Sequence, residues 1–344
     1  MISLQLSLLL SGVLLLLVMA LYYAWLARKS RPRQAEPREP RLPEPVEGRI
    51  EPHLNDQAID GESFASPAPE KKPGLDTLID AVAPIALEAP LSGEAILAVL
   101  PSTRRVGSKP FVIEGFNALS QRWEQPLAGQ HYSQLQAGVQ LANRSGPLND
   151  IEFSEFVMKT QNFCDVINGT PDLPVMRNEV NRARELDQFA SGHDAQLVLM
   201  VQARRVAWSP SYIQQTAARL GFVMGSMAGR LVLPASVNGL PPVVSLTFDA
   251  LAALADDPTQ SALRQITLGL DVAQVDRNEK AFERMREIAD ALAQEMDGVV
   301  TDDQGAALSP EAMTVIASEL EKLYDLLEQH ELAAGSPLAR RLFS

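Results

Sequence analysis

The residues whose types could do chemistry are few and widely spaced. The histidines are His53, His131, His193 and His330. None has metal-ligand spacing to another histidine or to the single cysteine, Cys164. The acidic pairs at Asp256–Asp257 and Asp302–Asp303 could supply a general acid and base. Both fall in stretches that we interpret as turns, where aspartate is favoured because it caps the backbone.

Sequence motifs add no catalytic signal. No phosphate-loop, dinucleotide-binding or nucleophile-elbow pattern occurs. The glycine-rich stretch 221–230 follows a predicted helix instead of opening one, so we interpret it as a turn between strands. Cys164 lies between Phe163 and Ile167 on an amphipathic helix, which predicts a buried packing residue. The sequence therefore predicts no catalytic residue, metal, cofactor or small-molecule substrate, and an envelope hydrolase is the weaker alternative.

The strongest chemical signal is basic. Residues 1–27 carry no charged side chain, and Arg28, Lys29, Arg31 and Arg33 follow at once. About 20 apolar residues suffice to span a bilayer, and positive charge stays on the cytoplasmic side. We therefore predict a transmembrane anchor at 1–27, with its N-terminus outside and the rest of the chain in the cytoplasm. A cleaved signal peptide would instead need a basic residue before the apolar run and a small-residue cleavage site.

A linker follows at 28–74, first basic and then rich in proline and alternating charge. Such a composition cannot bury enough apolar surface to fold, so we predict a disordered spacer. Residues 1–73 hold nine Lys and Arg and nine Asp and Glu, so the remaining residues carry the whole net charge of −13. A body that acidic is not expected to bind nucleic acid. The basic stretch is the part suited to anionic lipid.

From residue 75 the composition is globular, and the last third has the clearest pattern. Apolar runs at 197–201, 222–224, 231–233, 243–248 and 266–272 predict strands, and another follows at 299–301. Helices are predicted after Ser209–Pro210, from Phe282 to Met296, and after Ser309–Pro310. This order predicts an α+β fold, an antiparallel sheet with helices packed on one face. We place one domain at 75–192 and another at 193–335.

The two domains show a weak internal repeat. When the chain is shifted by 129 positions, residues 136–156 align with 265–285 without a gap. Apolar positions of a helix match, and Gly169 matches Gly298. We interpret 75–192 as a diverged copy of the C-terminal domain, although any amphipathic strand and helix would show a similar match.

The strand pattern predicts a binding surface. Val244, Leu246 and Phe248 alternate with Ser245 and Thr247, and the strand at 266–272 alternates in the same way. Thr267 and Gly269 then share the face opposite the core, where small side chains make a shallow groove. We expect Leu197, Leu199 and Met227 to form its apolar rim. The groove suits a peptide with a few apolar anchors, whereas the alternative is that this face packs on the first repeat.

The residues also resemble the ZipA family, which anchors the bacterial FtsZ division ring to the membrane. The resemblance rests on the span, the linker and several segments, of which ALAQEMDGVVTDDQGAALSPE (291–311) is the most specific. It implies a single-pass protein of the inner membrane with a periplasmic N-terminus, and a C-terminal domain that binds the FtsZ tail on an open sheet face. Met227, Leu197 and Thr267 match groove residues of the family. Together with the strand pattern, this predicts the groove residues Leu197, Leu199, Met227, Gly229, Ser245, Thr247, Thr267 and Gly269.

The resemblance is uneven at one position. Gly269 falls where the family places a phenylalanine that packs on the tail, and residues 75–190 have no counterpart that we recognise. We therefore predict a non-catalytic adaptor that tethers FtsZ polymers at the division site. The alternative is a cell-division or envelope scaffold that binds another partner and has a degenerate FtsZ groove.

Overall fold

The computed structural model describes residues 19, 32–35, 74–255 and 261–344. The predicted anchor at 1–27 and most of the linker therefore lie outside the described residues, except for Met19 and 32–35. Within the described ranges, no helix combines the length and apolar character that crossing a membrane requires.

The predicted α+β class is confirmed, with antiparallel sheets and helices in two units. The seven-stranded unit comprises Lys71–Leu197, Asp271–Ala281 and Glu311–Ser344. The six-stranded unit comprises the described residues within Met1–Glu70, Val198–Leu270 and Phe282–Pro310. The units are interleaved along the chain, whereas the domains predicted at 75–192 and 193–335 are contiguous. Those linear boundaries stay a prediction.

The elements of the first half are β1 (Asp80–Leu87), β2 (Leu91–Ser92), α1 (Gly93–Val99), β3 (Arg105–Val106), β4 (Lys109–Asn117), β5 (Arg122–Glu124), β6 (His131–Gln140), β7 (Ala142–Asn143), β8 (Gly146–Pro147), α2 (Asp150–Ile167), β9 (Gly169–Pro171) and α3 (Met176–His193). The main sheet runs β3-β4-β6-β1-β9, with β5 added to β4 and β2 to β6. Alternate residues of its central strands pack on Phe153, Phe156 and Phe163 of α2. Cys164 is buried there, as predicted.

The remaining elements are β10 (Gln196–Ala203), α4 (Pro210–Arg219), β11 (Val223–Met224), β12 (Arg230–Leu233), β13 (Val244–Thr247), α5 (Ala250–Ala253), β14 (Gln265–Asp271), α6 (Ala281–Met296), β15 (Gly298–Thr301), α7 (Pro310–Gln329) and α8 (Pro337–Leu342). The second sheet runs β11-β12-β13-β14-β10-β15. Its core face buries alternate residues of β12, β13 and β14. The apolar stripe of α6 is buried too, because its spacing follows the helical period.

The sequence located most elements of the six-stranded unit. Ser209 caps α4 by accepting a hydrogen bond from the Tyr212 N–H at 3.2 Å, and Pro210 stands at the first helical position, as predicted. The helix α6 ends at Met296, as predicted. Asp297 has a positive φ of 54°, and β15 begins at Gly298, one residue before the predicted strand.

The two sheets share a strand order. The series β3-β4-β6-β1-β9 in one corresponds to β12-β13-β14-β10-β15 in the other, in the same order along the chain. The helices α2 and α6 end at Ile167 and Met296, which are 129 positions apart. The next residues, Asn168 and Asp297, have φ of 53° and 54°. The shift of 129 positions that aligns the two sequences therefore also aligns the ends of these two helices and the positive-φ residues that follow them.

Candidate functional site

The six-stranded sheet carries its small residues together on the face opposite its core. Cross-strand pairs place Val223 beside Val232, Val232 beside Ser245, and Ser245 beside Gly269. The neighbouring row joins Arg230, Thr247 and Thr267. We call these seven residues the open face. Strict alternation along β13 and β14 explains why the sequence identified Ser245, Thr247, Thr267 and Gly269 as neighbours.

The centre of the open face is shallow because Gly269 has no side chain. A Cβ built there would meet Ser245 Oγ at 3.0 Å and no other described atom within 4 Å. The Ser245 hydroxyl donates to the Gly269 carbonyl at 3.3 Å. An incoming side chain or backbone can therefore approach the sheet closely at this point.

Apolar side chains border the open face at the β11–β12 hairpin. Met227 is 56% exposed in the turn, and Val223 is 49% exposed on β11. Gly229 has a φ of +71°, and a Cβ there would lie 2.6 Å from the Phe248 carbonyl oxygen. The structure therefore gives Gly229 a conformational reason to be glycine, since it shapes the turn that presents Met227.

The strand β10 differs from the predicted rim. Leu199 is only 3% exposed and lies on the core side, and Leu197, two positions earlier, shares that side of the strand. Val198, which is 43% exposed, points the other way. The run LVLMV is apolar at every position, so its alternation could not show which side faces the core. Val198, and not Leu199, therefore lies on the exposed side of β10. The sequence did not predict this.

Arg230 was also missed, and it brings positive charge to the open face. It pairs with Thr247 across the strands and is half-buried. Its Nε is buried and has no hydrogen-bond partner among the described residues. A buried guanidinium nitrogen of this kind favours a nearby acceptor such as a carboxylate. In the sequence, the only indication of this position was an arginine at the start of an apolar run that predicts a strand.

One of the four basic residues after the apolar run lies in a described contact. The Arg33 N–H donates to the Ala207 carbonyl at 2.6 Å, and the Ser209 N–H donates to the Arg33 carbonyl at 2.9 Å. These bonds form a parallel bridge with Trp208. The guanidinium lies 5.3 Å from the centre of the Tyr212 ring, and it donates to the Glu295 carbonyl near the end of α6 at 3.5 Å. Arg28, Lys29 and Arg31 lie outside the described residues.

A separate cleft of about 630 Å³ lies between α4 and the β11–β12 hairpin. Its walls include Ser211, Gln214, Ala218, Phe222 and Leu231, and the described lining residues contain no histidine, cysteine or carboxylate. In the part of the chain that is described, no three potential metal ligands lie close enough to hold an ion. Both concavities offer apolar contacts, hydrogen-bonding groups and one arginine, Arg219 in the cleft and Arg230 on the open face.

The six-stranded unit is thus an α+β unit whose antiparallel sheet carries the open face on the side away from its core. Residues 254–319 match the family model described as ZipA, C-terminal FtsZ-binding domain, which confirms the resemblance of this chain to the ZipA family. The matched segment includes Thr267 and Gly269 of the open face, together with α6 and β15.

Two further comparisons add little. No curated protein matches the chain. A solved structure titled "Structure of FgChi7B" is 11% identical, and the match covers 77% of this chain and 56% of that chain. The TM-score is 0.20, so this likeness carries no argument about fold or function.

Proposed function

We propose that this chain is a single-pass adaptor of the bacterial inner membrane, which tethers FtsZ polymers by binding the FtsZ C-terminal tail on the open face. The observation that carries the proposal is the match of residues 254–319 to the FtsZ-binding domain of ZipA. It supports an FtsZ-binding role in cell division, and that role requires no catalysis. The proposed binding face and the proposed membrane tether rest on two physical arguments.

The first argument is the shape and chemistry of the open face. Its centre is formed by Ser245, Gly269 and two threonines, which leave room for a peptide and offer hydroxyl groups to its backbone. Met227 and Val223 supply exposed apolar contacts at one side. Arg230 supplies a cation. A short peptide with apolar anchors and a neighbouring carboxylate fits this combination.

The second argument concerns the membrane. The run at 1–27 and the basic residues after it have the length and charge asymmetry of a span with an outward N-terminus. An adaptor needs only this anchor and one binding face, since FtsZ supplies the polymer. The body would then lie in the cytoplasm, where the lone, buried Cys164 is compatible with reducing conditions.

The direct test is calorimetry of the full chain in detergent with a synthetic FtsZ tail peptide. We expect saturable binding, and no binding of a scrambled peptide with the same composition. Equal, weak heats for both peptides would contradict the proposal. They would favour the second candidate, a scaffold for another partner, which is supported by the missing side chain at Gly269.

A further inference from the structure

The face of the seven-stranded sheet that corresponds to the open face is already occupied. Val82, Gly138 and Val112 form one cross-strand row on the side of the sheet away from its phenylalanine-rich core. A Cβ at Gly138 would overlap both δ-carbons of Leu75. The Leu75 side chain therefore fills the volume above the smallest residue of this row.

Hydrogen bonds also hold the backbone at Leu75 and Gly74. The Leu75 N–H donates to Glu114 Oε1 at 3.0 Å, and Gln136 Nε2 donates to Glu114 Oε2 at 2.9 Å. Glu114 is 2% exposed, so this carboxylate sits beneath the segment it binds. The neighbouring Gly74 carbonyl accepts from Arg341 at 3.1 Å.

A second set of bonds closes the segment onto β1. Arg341 pairs with the buried Asp80, and the Asp76 N–H donates to Asp80 Oδ2 at 2.8 Å. The Asp80 N–H donates in turn to the Asp76 carbonyl at 2.8 Å. Residues 74–76 thus present an apolar anchor to the sheet while their backbone is captured by polar side chains, as a bound peptide would be.

The corresponding face of the six-stranded sheet differs near this position. Gly138 lies 129 positions before Thr267, which is on the open face. At neighbouring Gly269, only Ser245 Oγ among the described atoms comes within 4 Å of a built Cβ. The two sheets share a strand order, yet one face is filled by its own chain and the other is open.

We propose that the sheet of the seven-stranded unit, with the helices that pack on it, is a second copy of the peptide-binding fold, and that Gly74–Asp76 are its intramolecular ligand, bound through Leu75. Each chain then offers one open site, although it contains two sheets of the binding type. This proposal rests on the proposed function, because that function identifies the shared fold as one that binds peptides. The ligand of the seven-stranded sheet belongs to the class of short extended peptides with a leucine anchor.

The test uses the full chain in detergent and a peptide of residues 71–78. In Leu75→Glu the segment loses its anchor and gains a carboxylate close to Glu114, so the face should open. We expect the peptide to bind this variant at least tenfold more tightly than the wild type, because it buries a leucine side chain. The same peptide with glutamate at position 75 should not bind. Equal binding of the wild-type peptide to both folded proteins overturns the proposal.

The matched control is Leu119→Glu, which makes the same change in the same unit at a side chain that is 86% exposed. It should behave as the wild type does. Hydrogen exchange of the Leu75 amide in the wild type gives a second measurement that needs no variant. Slow exchange is expected, and exchange at the rate of an unstructured peptide overturns the proposal.

Failure of this inference and failure of the proposed function are distinguishable. Leu75→Glu should retain the wild-type affinity for the FtsZ tail, since the open face belongs to the other unit. If the wild type does not bind the tail, the proposed function fails. Binding of the 71–78 peptide to Leu75→Glu still decides the intramolecular ligand.

Discussion

At the scale of single residues, Met227 offers the sharpest test of the open face. Its side chain is exposed on the β11–β12 turn, so glutamate there should not disturb the fold. An arriving apolar peptide would have to desolvate the new carboxylate, which costs several kcal/mol when it is unpaired. We expect Met227→Glu to abolish tail binding in calorimetry while the melting temperature is unchanged.

The control is Val237→Glu, which also adds a carboxylate at an exposed apolar position. Val237 is 59% exposed in the connection between β12 and β13, beyond the opposite end of β12 from Met227. It should bind the tail as the wild type does. Normal affinity in a folded Met227→Glu protein would mean that the peptide docks elsewhere.

Gly269 provides a gain-of-binding test. A Cβ there meets only the Ser245 hydroxyl oxygen among described atoms within 4 Å, and that hydroxyl can rotate away. In Gly269→Phe the ring would project onto the open face, and burying it against the tail is worth at most about 1.5–3 kcal/mol. We expect about tenfold tighter binding in calorimetry.

Gly269→Ala separates the aromatic contact from any general effect of removing glycine from a strand, which is itself favourable. Alanine should raise the melting temperature slightly and leave the affinity unchanged. If phenylalanine gives no more affinity than alanine, the ring does not reach the peptide.

The residue scale also shows what sequence can and cannot predict. On β13 and β14, polar and apolar residues alternate, so the faces of Ser245 and Thr267 could be predicted. On β10 they do not alternate, and the side of Leu199 was decided by packing. Arg33 belongs to a stretch whose composition predicts disorder, and its contact with Ala207 depends on a surface formed elsewhere in the chain.

At the scale of elements, the N-terminus of α2 shows how a short motif joins a helix to a turn. Asn149 Oδ1 accepts from the Ile151 and Glu152 N–H groups, both at 3.0 Å. The Glu152 carboxylate in turn accepts a hydrogen bond from the Asn149 N–H at 3.2 Å. It also accepts one from the Ser108 N–H at 2.8 Å. This capping box therefore also fixes the β3–β4 turn.

Asn149→Ala should lower the free energy of unfolding by about 1 kcal/mol, because two N–H groups lose their acceptor. The midpoint of a urea titration measures this change. Ile151→Ala is the control in the same turn, since Ile151 is 82% exposed and should change stability much less. A loss as large in Ile151→Ala would show that the cap is not the cause.

Helices with strong periodicity, such as α6, were predicted almost to the residue. The short α5 was not, because four residues carry too little pattern. The pairing of β1 with β6 and β9 was not predicted either. Pairing depends on register between distant segments, which propensity does not encode.

At the scale of the whole molecule, deletion of residues 1–27 tests the anchor. The truncated chain should appear in the soluble fraction of washed lysates, because the proposed span is its attachment to the bilayer. Replacing Arg28, Lys29, Arg31 and Arg33 by glutamine in the full chain is the control and should leave it in the membrane. Membrane retention of the truncated protein would contradict a single anchor.

Under the proposed anchor, the bridge between Arg33 and Trp208 limits the distance between the six-stranded unit and the membrane. With the proposed anchor ending at Ala27, six residues reach Arg33, and they span at most about 20 Å. The whole linker of 47 residues could extend to about 160 Å. Under the proposed function, the bridge would therefore raise the effective concentration of the six-stranded unit at the bilayer surface, and a chain without the bridge would search a much larger volume for FtsZ polymers.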